Sequence, residues 1–196
     1  MNVEGDWSNA GFWLAAGALG DGVSVTGLDL ASRQGDRSML AALAKLGARV
    51  ERAGGTASVS SGAPTACEMN VSDFPDLVPP LAAVASLAPG TTRLTGCGRL
   101  RLKESDRIET VCAGLAALGA DITSEGDDIV ISGRESLDGG EVDAANDHRI
   151  AMMAAVAASR CTGPVTIHGA ECVQKSYPAF FDDYAKLGGI VEGTVR

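Results

Sequence analysis

A chain of 196 residues is long enough to bury a full hydrophobic core, and a formal net charge of −9 argues against a nucleic-acid partner, which would want a basic surface. No apolar run approaches the roughly 20 residues of a membrane-spanning helix, and Met1–Asp6 has neither the basic nor the apolar region of a signal peptide. The five cysteines (Cys67, Cys97, Cys112, Cys161, Cys172) are scattered without a CxxC pair, which argues against a disulfide framework or a zinc site and fits a reducing, cytoplasmic setting.

Hydrophobic residues make up 45% of the chain, but aromatics only 4%, and there are 25 glycines. The core is therefore expected to be Ala, Val, Leu and Ile, with Cys112 and Cys161 as small core residues. In chain order, a small-residue helix around Leu14–Leu19 leads to a strand ending at Val25-Thr26-Gly27. A second helix opens at Asp36-Arg37 and closes on Leu46-Gly47, where glycine supplies a left-handed cap. A hairpin follows, with Ala48–Glu51 meeting Ala57–Ser60. The pattern then restarts with a helix from Pro75-Asp76-Leu77 through Leu81–Ser86 and a strand ending Leu94-Thr95-Gly96. Another helix closes on Leu118-Gly119, and Ala120–Thr123 pairs with Ile129–Ser132. It restarts once more at Asn146-Asp147-His148-Arg149, running through Ala154–Ala158 to Ile167-His168-Gly169 and on to Leu187-Gly188.

Gly27, Gly96 and Gly169 are 69 and 73 residues apart, so the chain reads as a threefold repeat. Each unit is β-α-β-α-β-β, a mixed α/β (α+β) architecture, with units about 1–73, 74–140 and 141–196. The first has only Asn2-Val3-Glu4 ahead of its helix, and the third stops at Val191–Arg196, one strand short. The chain is therefore expected to be a single domain cut from, or partnered with, something larger.

Five of the sixteen basic residues fall between Arg93 and Arg107, and an acidic chain that gathers cations in one place is suited to hold an anion there. From Arg99 the sequence runs from a strand-like alternation into a helix start. If that helix begins early enough, Lys103 and Arg107 share a face, with Glu104 three residues from Arg107. A carboxylate among cations suits proton transfer to a bound anionic substrate. The plain alternative is a helix start alone, since Asp106 and Glu109 form a capping-box pattern and Asp36-Arg37 opens its helix in the same way. Asp6, Asp76 and Asp147 occupy equivalent helix starts, and capping accounts for all three. Capping does not account for Arg149, a cation in a first turn where the helix dipole disfavours it, unless it joins the helix end in holding an anion. Gln34, Lys103 and Lys175 sit in related positions. Lys175 in isolation reads as a solvated lysine.

Leu102-Lys103-Glu104-Ser105-Asp106-Arg107, Asn146-Asp147-His148-Arg149-Ile150-Ala151-Met152 and Glu4-Gly5-Asp6-Trp7-Ser8 resemble the C-terminal half of the 5-enolpyruvylshikimate-3-phosphate synthases, from about Glu4 to Lys186. The resemblance implies an enolpyruvyl transferase-like domain of three units around a pseudo-threefold axis, facing an N-terminal partner domain across a cleft. That partner is not in this sequence. Nor is the short strand that the start of the full enzyme contributes, because the family's chain crosses twice between its domains. It implies transfer of the enolpyruvyl group of phosphoenolpyruvate to the 5-hydroxyl of shikimate 3-phosphate, without metal or organic cofactor, nucleic acid or membrane. By the same resemblance Arg107, Arg149 and Lys175 match phosphoenolpyruvate ligands, and Lys103 matches a shikimate 3-phosphate ligand. Asp76 matches the carboxylate that binds the shikimate hydroxyls and accepts the proton, and Glu104 the acid that protonates the methylene carbon. Arg99 stands where some members place an Asn against the shikimate phosphate ester. Three alternatives remain beside this one: an enolpyruvyl transferase acting on UDP-N-acetylglucosamine, a non-catalytic module holding a phosphorylated metabolite, and a folded domain without function alone.

Overall fold

The computed structural model describes residues 3–193, and the repeat is visible in its element order. Helix α1 (Trp7–Leu19) starts where the Asp6 carboxylate accepts from the N–H groups of Ser8 and Asn9. Strand β1 (Val23–Thr26), a 3-10 turn over Gly35–Ser38, α2 (Met39–Lys45), β2 (Arg49–Ala53) and β3 (Thr56–Ser60) follow. The second set is β4 (Glu68–Asn70), a 3-10 turn at Pro75–Leu77, α3 (Val78–Ala85), β5 (Thr91–Thr95), a 3-10 turn over Gly98–Leu102, α4 (Arg107–Ala117), β6 (Asp121–Glu125) and β7 (Asp128–Ser132). The third is β8 (Gly140–Asp143), α5 (His148–Ala158), β9 (Val165–His168), a 3-10 turn over Ala170–Lys175 and α6 (Phe180–Lys186).

The middle set shows the unit whole: β4 pairs parallel with β5, β5 antiparallel with β7, and β7 with β6. The first set has the β1-β3-β2 part of that sheet, and the third only the parallel pair β8-β9. Alternation decides which strand faces turn inward. Ala57 and Val59 of β3, and Ile129 and Ile131 of β7, are buried while their neighbours are half-exposed. Helices α1, α3 and α5 pack against one another at the centre. All of α3, and α5 from His148 through Ala157, is buried, which small Ala-rich faces permit.

Gly27, Gly96 and Gly169 leave their strands with φ of +79°, +75° and +72°, the same left-handed exit three times. Gly47 closes α2 with φ +90°, and a Cβ there would lie 1.9 Å from the Ala63 carbonyl oxygen. Gly54, with φ +55°, has open space around it. Gly54→Ala should therefore cost only the about 1–2 kcal/mol of a left-handed non-glycine residue. Gly47→Ala should cost clearly more, as read from the two urea unfolding midpoints.

Several expectations need correction. No strand-like stretch precedes α4: Gly98–Leu102 is a 3-10 turn with Leu100 buried and Arg99, Arg101 and Leu102 exposed. The helix does not begin early enough to carry Lys103. Asp106 is extended (φ −68°, ψ 92°) and accepts from Ile108 and Glu109 N–H groups, fixing the first helical residue at Arg107. Val3-Glu4 and Val191–Gly193 form no strand, while Asn2 and Thr194–Arg196 lie outside the described residues. All five cysteines are free, but the buried ones are Cys97 and Cys172, whereas Cys112 and Cys161 lean on the core half-exposed. Burial pushes the Cys97 thiol up to about 12, so it is an inert packing group.

Candidate active site

Three helix starts meet on one wall, those of α3, α4 and α5, and Arg107 is at its centre. Its side chain is 1% exposed although it is the first residue of α4. Nε donates to Asp147 Oδ2 at 2.7 Å and Nη2 to Asp147 Oδ1 at 3.2 Å, a two-point grip on the fully buried residue that caps α5. Nη1 donates to Asp76 Oδ1 at 2.8 Å, and Nη2 also reaches Glu104. Asp147 is further held by Ser105 Oγ at 3.0 Å and by the Arg149 N–H at 3.0 Å. A buried guanidinium is tolerable only with such partners, and here three carboxylates supply them.

Asp76, in the 3-10 turn leading into α3, joins the cations. Its Oδ1 lies 2.9 Å from Lys103 Nζ, and its Oδ2 accepts from Arg149 Nη2 at 3.3 Å. Lys103 and Arg107 thus meet through this carboxylate rather than on a helix face. The same contact answers why a cation stands in the first turn of α5. Lys175, at the end of its 3-10 turn, donates to the Asn146 main-chain oxygen and to Asn146 Oδ1, both at 2.6 Å, beside Asp147. Arg99 is exposed and has no hydrogen-bond partner among the described residues. The sequence-predicted residues Asp76, Lys103, Glu104, Arg107 and Arg149 are therefore in one bonded cluster, Lys175 borders it through Asn146, and Arg99 stands apart.

Burial pushes the Asp76 carboxyl up, but the Lys103 hydrogen bond and the charges of Arg149, Lys103 and Arg107 outweigh it and hold it below the usual carboxylate range. Asp147 behaves alike: burial is overcome by Arg107, the Arg149 N–H and Ser105. Both groups are bound more tightly as carboxylates in the folded state. The stability they add is fully present above the unfolded carboxylate range and is lost as the pH falls through their lower folded values. Asp36 works in the opposite sense, raised by burial and by Asp76 and Asp6 against the Ser8 hydrogen bond and Arg149. His148, beside Asp147, adds a loss at higher pH: burial and then the Arg149 charge lower its protonation tendency, so the unfolded chain takes up that proton first. The urea midpoint should therefore decline modestly below roughly pH 6.5 and fall steeply below roughly pH 4. Asp147→Asn should flatten that fall.

Two surface hollows, of about 420 and 590 Å³, lie away from this cluster: one between Trp13, Leu28 and Tyr177, the other beside Asp29 and Gly54. Neither is lined by Asp76, Glu104, Arg107, Arg149 or Lys175. The cluster itself is part open: the side chains of Asp76, Lys103 and Glu104 are 27%, 26% and 42% exposed, while Arg107 behind them is 1% exposed.

Residues 1–184 match the family EPSP synthase (3-phosphoshikimate 1-carboxyvinyltransferase). The chain belongs to that family. It is 45% identical over 191 residues to the 3-phosphoshikimate 1-carboxyvinyltransferase of Clostridium kluyveri, covering 97% of this chain and 45% of that one. To the Clostridium acetobutylicum enzyme of the same name it is 44% identical, covering 96% and 44%. An EPSP synthase structure from Acinetobacter baumannii superposes with a TM-score of 0.84 at 33% identity, over 97% of this chain and 47% of that one. The enolpyruvyl transferase NikO from Streptomyces tendae superposes at 0.79 with 21% identity and shows the fold alone. The chain spans somewhat under half the length of the curated relatives it matches.

Within this EPSP synthase family member, several site neighbours escaped the sequence reading. Asp147 looked like a cap and is also the main partner of Arg107. Ser105, given no role from its place in the motif, bonds that same carboxylate. Gln34, grouped with Lys103 and Lys175 by repeat position, does something else: its Oε1 accepts from Trp7 N–H and its Nε2 donates to the Gly5 oxygen, latching the approach to α1. Among the described residues no helix is long and apolar enough to cross a membrane.

Proposed function

We propose that this chain supplies one wall of an active site in which the enolpyruvyl group of phosphoenolpyruvate passes to the 5-hydroxyl of shikimate 3-phosphate. The convergence of Lys103, Arg107 and Arg149 on Asp76, at the open ends of the inner helices, carries the reading. Arg107, Arg149 and Lys175 hold the carboxylate and phosphate of phosphoenolpyruvate, which guanidinium pairs match in shape. Lys103 and Asp76 take shikimate 3-phosphate near the reacting hydroxyl, with Arg99 at the rim.

In the addition step the hydroxyl oxygen bonds to C2 of phosphoenolpyruvate, its proton passes to Asp76, and Glu104 gives a proton to the methylene carbon. In the elimination a proton returns from that methyl group to Glu104, the double bond reforms and phosphate leaves from C2. Held by Lys103, Arg149 and Arg107, Asp76 carries no proton but is a weak base. Once substrate anions take over Lys103, Arg107 and Arg149, the charges that hold the carboxyl down are neutralised, and it becomes a stronger base where the hydroxyl lies. Half of the relatives' length is outside this chain, and we assign the opposite wall to it. The deciding experiment is complementation: phosphate release by the chain mixed with a separately produced amino-terminal half of a family member.

A further inference from the structure

Asn146 lies in the turn between β8 and α5, and its geometry is unusual. Ala145 and Asn146 have φ of +50° and +57°, the two non-glycine residues with left-handed backbone among those described. Asparagine tolerates that region better than most residues, yet two such residues in a row persist only where the surroundings impose them. The surroundings are visible. Ala145 N–H donates to Asp143 Oδ1 at 2.8 Å, Asp147 N–H donates to the Ala144 oxygen at 2.8 Å, and Ala144 N–H donates to the His168 oxygen of β9 at 2.9 Å. The outcome is that both oxygens of Asn146, main-chain and amide, face the Lys175 ammonium at 2.6 Å.

We propose that Asn146 is a positioning residue that aims Lys175 at the substrate anion, an inference that rests on the function proposed above. An ammonium has three N–H donors and no acceptor. Two are committed to Asn146, so the third, with the full charge, is left for the ligand. A lysine on a four-carbon stem otherwise loses much rotamer freedom on binding. Holding it in advance removes that cost, and holding it with neutral oxygens leaves its charge uncancelled, unlike the carboxylates that occupy Arg107. The consecutive residues Asn146 and Asp147 thereby hold Lys175 and Arg107 respectively.

The test compares Asn146→Gly, which keeps the left-handed backbone and its carbonyl but loses the amide oxygen, with Asn146→Asp, which keeps an acceptor and adds a charge. The chain has four lysines, so each can be followed by mass spectrometry after timed reaction with a small acylating reagent. An ammonium held by two acceptors offers its nitrogen poorly. Labelling of Lys175 should rise at least threefold in Asn146→Gly and stay at or below the starting rate in Asn146→Asp, whose carboxylate still accepts from the ammonium. Lys45, Lys103 and Lys186 should be unchanged in both, which a loosened fold would not allow. In the complemented enzyme Asn146→Gly should raise KM for phosphoenolpyruvate five- to tenfold with a much smaller change in kcat. Equal Lys175 labelling in the original chain and Asn146→Gly overturns the inference, whether or not the complemented enzyme turns over. Lack of turnover with the labelling pattern intact counts against the functional reading instead.

Discussion

Purified alone, the 196-residue chain is expected to release no phosphate from phosphoenolpyruvate and shikimate 3-phosphate, and to do so once a separately produced amino-terminal half is added. The reason is geometric. Most of the rate in a two-substrate reaction comes from fixing both reactants between rigid walls that exclude water, and this chain presents an open wall. Glu104→Gln in the complemented enzyme should lower turnover by about 10²–10⁴-fold, the usual worth of a positioned acid–base group. Its KM values should move far less. Phosphate release by the isolated chain would refute the two-wall account, and full activity of Glu104→Gln would remove that residue from proton transfer.

The second large effect concerns stability. Asp147→Ala leaves the Arg107 guanidinium, 1% exposed, without its two-point partner. Removing one member of a buried ion pair typically costs about 3–5 kcal/mol, because the remaining charge stays desolvated. Ser105→Ala removes one neutral donor from the same carboxylate and should cost only about 1 kcal/mol. Urea unfolding of both variants followed by circular dichroism checks the contrast. Near-equal losses would mean that Asp76 and Glu104 alone can satisfy Arg107.

The threefold plan was legible because it is written in local chemistry. Gly47, Gly119 and Gly188 end helices, Ala-rich runs make the inner helices, and alternating β-branched residues make the hairpins. Lys103, Glu104, Arg107 and Arg149 could be nominated from motif and spacing and Asp76 from the family resemblance, and they do meet. Their partnerships could not be read. That Lys103 reaches Asp76 instead of sharing a helix face with Arg107 depends on where Asp106 turns extended, a choice between two cap positions separated by little energy. That Asp147 grips Arg107 is a contact across 40 residues, while every local rule gives it the task of a cap. Asn146 was invisible for the same reason: nothing in its neighbours announces two left-handed residues in succession.

The central helices have a consequence beyond packing. Along α3 and most of α5 every side chain is buried, so the peptide dipoles of these helices run through protein and not through solvent. Dissolved ions can crowd around a surface lysine and dull its attraction, but they have little access to a field generated in the interior. Part of the pull toward this wall is therefore fixed in the backbone itself. It should persist at ionic strengths that would strip an anion from a patch of exposed cations.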